Sequence, residues 1–226
     1  MLKMNRIFLS AMCCICLFAQ FSCQGDKNAQ PLFAADLSNA DFDESVWSVD
    51  DKGVLSATED KMIWTEREYE NFELTLEFKN ESCTNSGVII YCPNKRRWVT
   101  DAVEIQIADD YCDKWTDWHP NWRCGAIFGH LAPSQHNLVK KPNEWNKMKI
   151  IAKGKNIVVE LNGKKVCEMD MNLWTSGTVN PDGSEIPEWM PKPYAELATK
   201  GYIGLQGKHG EATIYFRNIK IKEYDR

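Results

Sequence analysis

The segment Phe72-Glu-Leu-Thr-Leu-Glu-Phe-Lys79 decides the fold class. Phe72, Leu74, Leu76 and Phe78 alternate with Glu73, Thr75, Glu77 and Lys79, and a period of two puts one set on each face of a strand. The same alternation recurs in Lys147–Lys153 and Asn156–Leu161. Asn162-Gly163 follows as a hairpin signal, because Asn and Gly both accept positive φ. Gly87–Tyr91 and Ala102–Ala108 read as more deeply buried strands. No stretch sustains a helical period with caps, although Pro193–Thr199 has room for one turn of helix. Many short antiparallel strands at regular spacing predict an all-β, two-sheet sandwich.

Near the C-terminus, Lys200-Gly-Tyr-Ile-Gly-Leu-Gln-Gly-Lys-His-Gly210 leads into Ile214-Tyr-Phe-Arg-Asn-Ile-Lys-Ile-Lys222. The pattern predicts two strands joined by a tight glycine turn. Gln206, His209, Arg217 and Asn218 then cluster as hydrogen-bonding groups, and His209 can also move a proton near neutral pH. Such a cluster is either a satisfied turn network or the floor of a binding site.

In Ala102-Val-Glu-Ile-Gln-Ile-Ala108, Val103, Ile105 and Ile107 make an apolar face, while Glu104 and Gln106 share the other face with two alanines. Small residues beside polar ones leave room above the sheet, so this strand reads as ligand-facing; a solvated face more often carries Lys, Thr or Arg. Tyr111, Trp115, Trp118, His119 and Trp122 crowd the loop Tyr111–Cys124, and Leu173–Tyr194 adds Trp174, Trp189 and Tyr194. Aromatic planes above a polar sheet suit a carbohydrate, whose C–H faces stack while its hydroxyls need hydrogen bonds. Taken singly, each Trp reads equally well as a small core pinning a long loop. His130, near the exit of the first loop in a segment expected to return to strand, is either a structural histidine or an acid.

The N-terminus has a different character. Lys3 and Arg6 precede an apolar run, Ile7 to Phe21, that ends at Ser22-Cys23-Gln24-Gly25. A basic start, a short apolar stretch and a small residue before the cut describe an export leader, too short to span a membrane. Cys23 at the first mature position resembles a bacterial lipoprotein signal, with the lipid on Cys23. The expected organisation is a leader over residues 1–22, a polar tether over 23–30 and one domain over 31–226. The expected location is membrane-anchored, in the periplasm or at the cell surface.

The formal net charge is −5, and loss of Lys3 and Arg6 with the leader takes it to −7. An acidic chain without a basic stripe argues against a nucleic-acid partner. Beyond Cys23 the mature chain carries Cys83, Cys92, Cys112, Cys124 and Cys167, an odd set that leaves at least one thiol free. Cys112 and Cys124 flank one loop and are the expected pair in an oxidising compartment.

Ordered pieces along the chain carry a resemblance. They are Tyr69-Glu-Asn-Phe-Glu-Leu-Thr-Leu-Glu-Phe78, Asn85-Ser-Gly-Val88, Val103-Glu-Ile-Gln-Ile107 with Asp109, Gly125-Ala-Ile-Phe128, Glu144-Trp-Asn146, Leu161-Asn-Gly163, Gly204-Leu-Gln206 with His209-Gly210, and Phe216-Arg-Asn-Ile219. Together they resemble the 3-keto-disaccharide hydrolase domain family over about residues 32–224. The family pattern departs at Tyr91, where an Arg is common, and in the Gln206–His209 spacing, which has one extra residue.

The resemblance implies a jelly-roll sandwich of concanavalin A-like or laminin G-like type. It also implies cleavage of glycosides already oxidised at C3 by a separate sugar dehydrogenase. A C3 ketone acidifies the C2 proton and makes the C1 oxygen a β-leaving group. Such a site needs a base, a donor to the enolate and an acid for the leaving group. On the matched positions, Glu104 or His209 is the base, Gln106 and Gln206 hold sugar hydroxyls, and Arg217 stabilises the enolate or orients a carboxylate. Asp109 binds sugar or joins a metal site, His130 is a further acid, and Trp118 is part of the sugar platform. A divalent cation is left open: Glu104, Asp109 and the histidines offer hard ligands, but no spacing forces one.

A non-catalytic carbohydrate-binding lipoprotein on the same fold is the main rival, since a fold hosts many functions. It would have no use for Glu104 and His209 converging on one cavity. An ordinary jelly-roll glycosidase needs two carboxylates. At i+2 and i+4 from Glu104 stand Gln106 and Ala108, which disfavours that reading.

Overall fold

The alternation at residues 72–79 becomes the central strand of a sheet. The computed structural model describes residues 28–225 except 117, 118 and 136. Its strands are β1 (Gln30–Pro31), β2 (Ala40–Asp41), β3 (Trp47–Val49), β4 (Leu55–Ala57), β5 (Met62–Thr65), β6 (Phe72–Asn80) and β7 (Asn85–Cys92). They continue with β8 (Val103–Ala108), β9 (Asn146–Lys153), β10 (Asn156–Leu161), β11 (Lys164–Asp170), β12 (Tyr202–Gln206) and β13 (Ile214–Glu223). One sheet has the order β11-β10-β9-β6-β13-β4-β3, with β1 also on β13; the other runs β2-β5-β12-β7-β8. Every named strand pair is antiparallel.

The two sheets close on one apolar core. Phe72, Leu74, Leu76 and Phe78 of β6 face Val88 and Ile90 of β7, Val103, Ile105 and Ile107 of β8, and Ile203 and Leu205 of β12. Burying an aliphatic or aromatic side chain of this size is worth about 1.5–3 kcal/mol, so this layer dominates the stability. Asn162 and Gly163 do turn the β10–β11 hairpin with φ of 50° and 79°. Tyr194–Glu196 form a turn of 3-10 helix, inside the segment read as helical. Among the described residues no helix is long and apolar enough to cross a membrane.

Three local expectations need correction. β12 and β13 are not a hairpin, because the chain between Gly207 and Thr213 crosses from one sheet to the other. Residues 125–131 hold turns and isolated bridges rather than a strand, although their backbone still covers the β8 edge through Gln106 N–H to Ala126 O and Phe128 N–H to Glu104 O. The disulfide joins Cys83 to Cys112, leaving Cys124 buried and reduced with Cys92 and Cys167. Asp109 is the cause: its carboxylate accepts the Cys83 N–H at 2.8 Å and the Tyr111 N–H at 3.1 Å, drawing the β6–β7 turn against the loop after β8. Under denaturing, non-reducing conditions, alkylation should therefore label Cys92, Cys124 and Cys167. Peptide mapping should recover Cys83 linked to Cys112, and a labelled Cys83 would contradict this pairing.

Candidate functional site

Strand alternation at β8 sends Val103, Ile105 and Ile107 into the core and Glu104 and Gln106 to the outer face of the five-stranded sheet. There they line a cavity of about 650 Å³ with Asp60, Asn85, Gln206 and His209, under Trp98, Trp122, Phe128 and Trp189. Residues far apart in sequence meet because β5, β12, β7 and β8 are consecutive in the sheet. The volume is within the ~300–1,000 Å³ usual for small-molecule sites.

Glu104 owes its position to the neighbouring strand. Gly87 of β7 lies so close that a Cβ there would stand 2.4 Å from the Glu104 Oε1. The carboxyl group therefore lies across the bare backbone of Gly87. Burial, with a smaller contribution from the Asp60 charge, pushes the Glu104 carboxyl up to about 8. At neutral pH it is mainly a carboxylic acid, able to donate a proton.

His209 is held differently, at the exposed rim. Its Nδ1 lies 2.5 Å from Asp60 Oδ2. A carboxylate only accepts, so in the neutral ring the proton sits on Nδ1 and Nε2 is left as the proton acceptor. Asp60 also fixes Gln206, whose Nε2 donates to Asp60 Oδ1 at 3.3 Å. That orients the Gln206 oxygen away from the carboxylate. Gln106 likewise donates from Nε2 to Asn85 Oδ1 at 3.1 Å. The Oε1 atoms of Gln106 and Gln206 are buried and have no partner. A buried unpaired acceptor is costly, and two on one cavity are matched by a ligand with hydroxyl donors.

Aromatic side chains complete the lining. Trp122 packs on Phe128 with centroids 5.1 Å apart and meets Trp189 edge-on at 6.1 Å. Trp189 is exposed. Trp118 and Cys23 lie outside the described residues.

Four residues expected at the site are elsewhere. Arg217 is on β13 in the other sheet, paired through Nε to Glu77 at 2.7 Å and lying 3.9 Å over the Trp145 ring. Asn218 beside it has φ of 53° at the break in β13 register, so it serves a bulge. Asp109 is buried and spends its carboxylate on the disulfide loop, which removes it as a sugar or metal ligand. His130 is sealed beneath the surface, stacked on Tyr194 at 3.6 Å with Nδ1 at 2.9 Å from Phe128 O. Burial drives it down to about 4, so it is neutral and does not act as an acid toward the cavity.

Asp60, Gly87, Asn85 and Trp98 acquire site roles that their sequence context did not reveal. Asp60 sits in the charged turn Glu59-Asp60-Lys61, which reads as solvated loop. Asn85 and Gly87 carried a signal only as part of the Asn-Ser-Gly piece. Among the described residues no group of three or more His, Cys, Asp or Glu side chains is arranged to hold a metal.

Known proteins share this architecture. A Parabacteroides distasonis protein, solved by crystallography as a candidate glycosyl hydrolase, is 59% identical with a TM-score of 0.85, over 87% of this chain and 99% of that one. A Bauhinia forficata lectin solved with GalNAc is 11% identical with a TM-score of 0.57, over 87% of this chain and 98% of the lectin, and shows the sandwich fold alone. A Bacteroides thetaiotaomicron protein named 3-keto-disaccharide hydrolase is 29% identical over 178 residues, 70% of this chain; the match spans only 60% of that relative's length. With a family profile matching residues 28–222, nearly the whole described sandwich including Asp60, Glu104 and His209, the chain belongs to the 3-keto-alpha-glucoside-1,2-lyase-like domain family.

Proposed function

We propose that the chain cleaves glycosides oxidised at C3 by β-elimination followed by addition of water. The observation that carries this reading is the pairing, in one cavity, of an acceptor nitrogen on His209 with a carboxyl on Glu104 kept protonated by burial. His209 Nε2 takes the C2 proton, and the C2–H electron pair forms the enolate with the C3 ketone. The enolate collapses to a C1=C2 double bond as the C1–O bond breaks, and Glu104 gives its proton to the departing oxygen. Water then adds at C1, losing a proton to the Glu104 carboxylate, while His209 returns a proton to C2. Gln106 and Gln206 accept sugar hydroxyls through their unpaired oxygens. Stopping after elimination makes the reaction that of a lyase; completing the addition makes it hydrolysis.

The ketone has to be installed by a separate oxidation at C3, a dehydrogenase reaction. Export and lipidation at Cys23 belong to the same proposal and would place the enzyme where oligosaccharides arrive.

Purified protein incubated with a glycoside and with its 3-keto derivative tests the reading. The keto form should be cleaved in deuterated water with deuterium appearing at C2, while the plain glycoside stays intact. Equal cleavage of both would point to an ordinary glycosidase. Binding of both without cleavage would favour the carbohydrate-binding alternative.

A further inference from the structure

With Arg217 in the other sheet, paired to Glu77, the enolate has no donor assigned to it. Gln106 and Gln206 engage Nε2 with Asn85 and Asp60 and leave Oε1 unpaired, which suits them to accept hydroxyls. Asn85 lines the same cavity with the opposite polarity. Its Oδ1 accepts from Gln106, and among the described residues its Nδ2 has no hydrogen-bond partner. We propose that Asn85 is a catalytic residue, its Nδ2 donating to the C3 oxygen as the enolate forms. The inference rests on the elimination reading of this cavity and deepens it.

The base acts on C2 and the charge gathers on the oxygen of C3, the next carbon, so the donor has to stand beside the base. Asn85 and His209 face each other across an isolated antiparallel bridge. Directly opposed residues point to the same face, with Cβ atoms about 4.5–5.5 Å apart. Gly87, the next residue on that face of β7, carries the Glu104 carboxyl over its bare backbone. Base, donor and acid are therefore gathered around two neighbouring positions of one strand. An oxyanion donor acts through preorganisation, because a group already aimed has nothing to reorient as charge develops. The Gln106 bond to Oδ1, at 3.1 Å, holds the Asn85 amide and leaves its nitrogen for the ligand. The backbone before it is pinned as well: Thr84 O accepts the Asp109 N–H, and Cys83 is tied to Cys112. Lys114 also lines the cavity, but it is exposed on the single turn Asp113–Thr116 and carries its charge on a flexible stem. In the reaction His209 Nε2 takes the C2 proton and the C2–H pair builds charge on the C3 oxygen. Asn85 donates a hydrogen bond there and transfers no proton. The charge then leaves with the C1 oxygen, which Glu104 protonates.

Asn85→Ala should lower kcat on a 3-keto-glycoside by roughly 10²–10³, the size for one lost oxyanion donor, with KM changed far less. A second readout isolates the enolate. In a 3-keto sugar with hydrogen in place of the C1 leaving group, exchange of the C2 proton with deuterated water stops at that stage. Asn85→Ala should slow this exchange by the same factor. Asn85→Asp keeps the acceptor for Gln106, which guards against a variant that fails to fold. It removes the donor and should exchange no faster than Asn85→Ala. Lys114→Met should stay within about threefold of the wild type in both assays. Exchange at the wild-type rate in either Asn85 variant would overturn the proposal and leave elimination standing. So would a loss in Lys114→Met as large as that expected of Asn85→Ala, which would move the role to the lysine. Slower cleavage with unchanged exchange would tie Asn85 to the leaving group and overturn it too. A wild type that neither cleaves the keto glycoside nor exchanges the C2 proton removes the elimination reading itself, and the donor with it.

Discussion

Glu104→Gln and His209→Ala should each lower turnover of a 3-keto-glycoside by roughly 10²–10⁴, the range for loss of one acid–base group. Gln occupies the same space and can still hold a hydroxyl, but it has no proton to deliver to the departing oxygen. Asp60→Asn should act in the same direction as His209→Ala, because an amide facing Nδ1 no longer dictates which ring nitrogen holds the proton. Wild-type rates in both Glu104→Gln and His209→Ala would remove the elimination mechanism. Activity of the wild type should also fall as pH rises through about 8, where Glu104 loses the proton it donates.

Stability gives a second measurement of the same group, independent of substrate. The Glu104 carboxyl is raised from 4.5 to about 8 in the native protein. The native state therefore holds a proton that the unfolded chain has released between those values. Its contribution is fully present below about 4.5 and is lost as pH rises through about 8. Glu104→Gln lacks this loss, so its melting temperature should overtake that of the wild type at alkaline pH, with the gap closing toward pH 4. Each kcal/mol is worth about 2–4 °C for a domain of this size. A constant gap across that range would mean that Glu104 ionises normally.

Gly87→Ala should cost activity nearly as much as removing the Glu104 carboxyl, with a much smaller effect on folding. The new methyl would overlap the Glu104 Oε1, which a Cβ would approach to 2.4 Å. The atom it meets is the end of a flexible side chain rather than backbone, so Glu104 can swing aside and the sheet can remain. Misplacing a catalytic group by about 1 Å can cost on the order of 10²-fold. An active Gly87→Ala protein with wild-type kcat would show that Glu104 need not rest over β7. A protein that fails to fold is distinguished by loss of the cooperative melt, and Gly87→Ala combined with Glu104→Ala, which removes the side chain the methyl meets, should then fold normally.

Much of the sandwich was legible because strand alternation is local. Phe72–Phe78, Val103–Ile107 and Asn162-Gly163 each carry within a few residues the apolar period or the positive-φ preference that sets their conformation. The outward placement of Glu104 and Gln106 followed from the same period of two. Tertiary structure decided what those local patterns do not contain: which sheet each strand joins and which distant loops meet. Gln206 and Arg217 are eleven positions apart, yet the chain changes sheets between them, so one reaches the cavity and the other pairs with Glu77. Cys83, rather than Cys124, meets Cys112 because the Asp109 carboxylate gathers the two turns. Asp60 becomes a partner of His209 through contacts 149 positions apart. Burial and pairing of this kind depend on the whole arrangement of β5, β12, β7 and β8, and no short window of sequence encodes that arrangement.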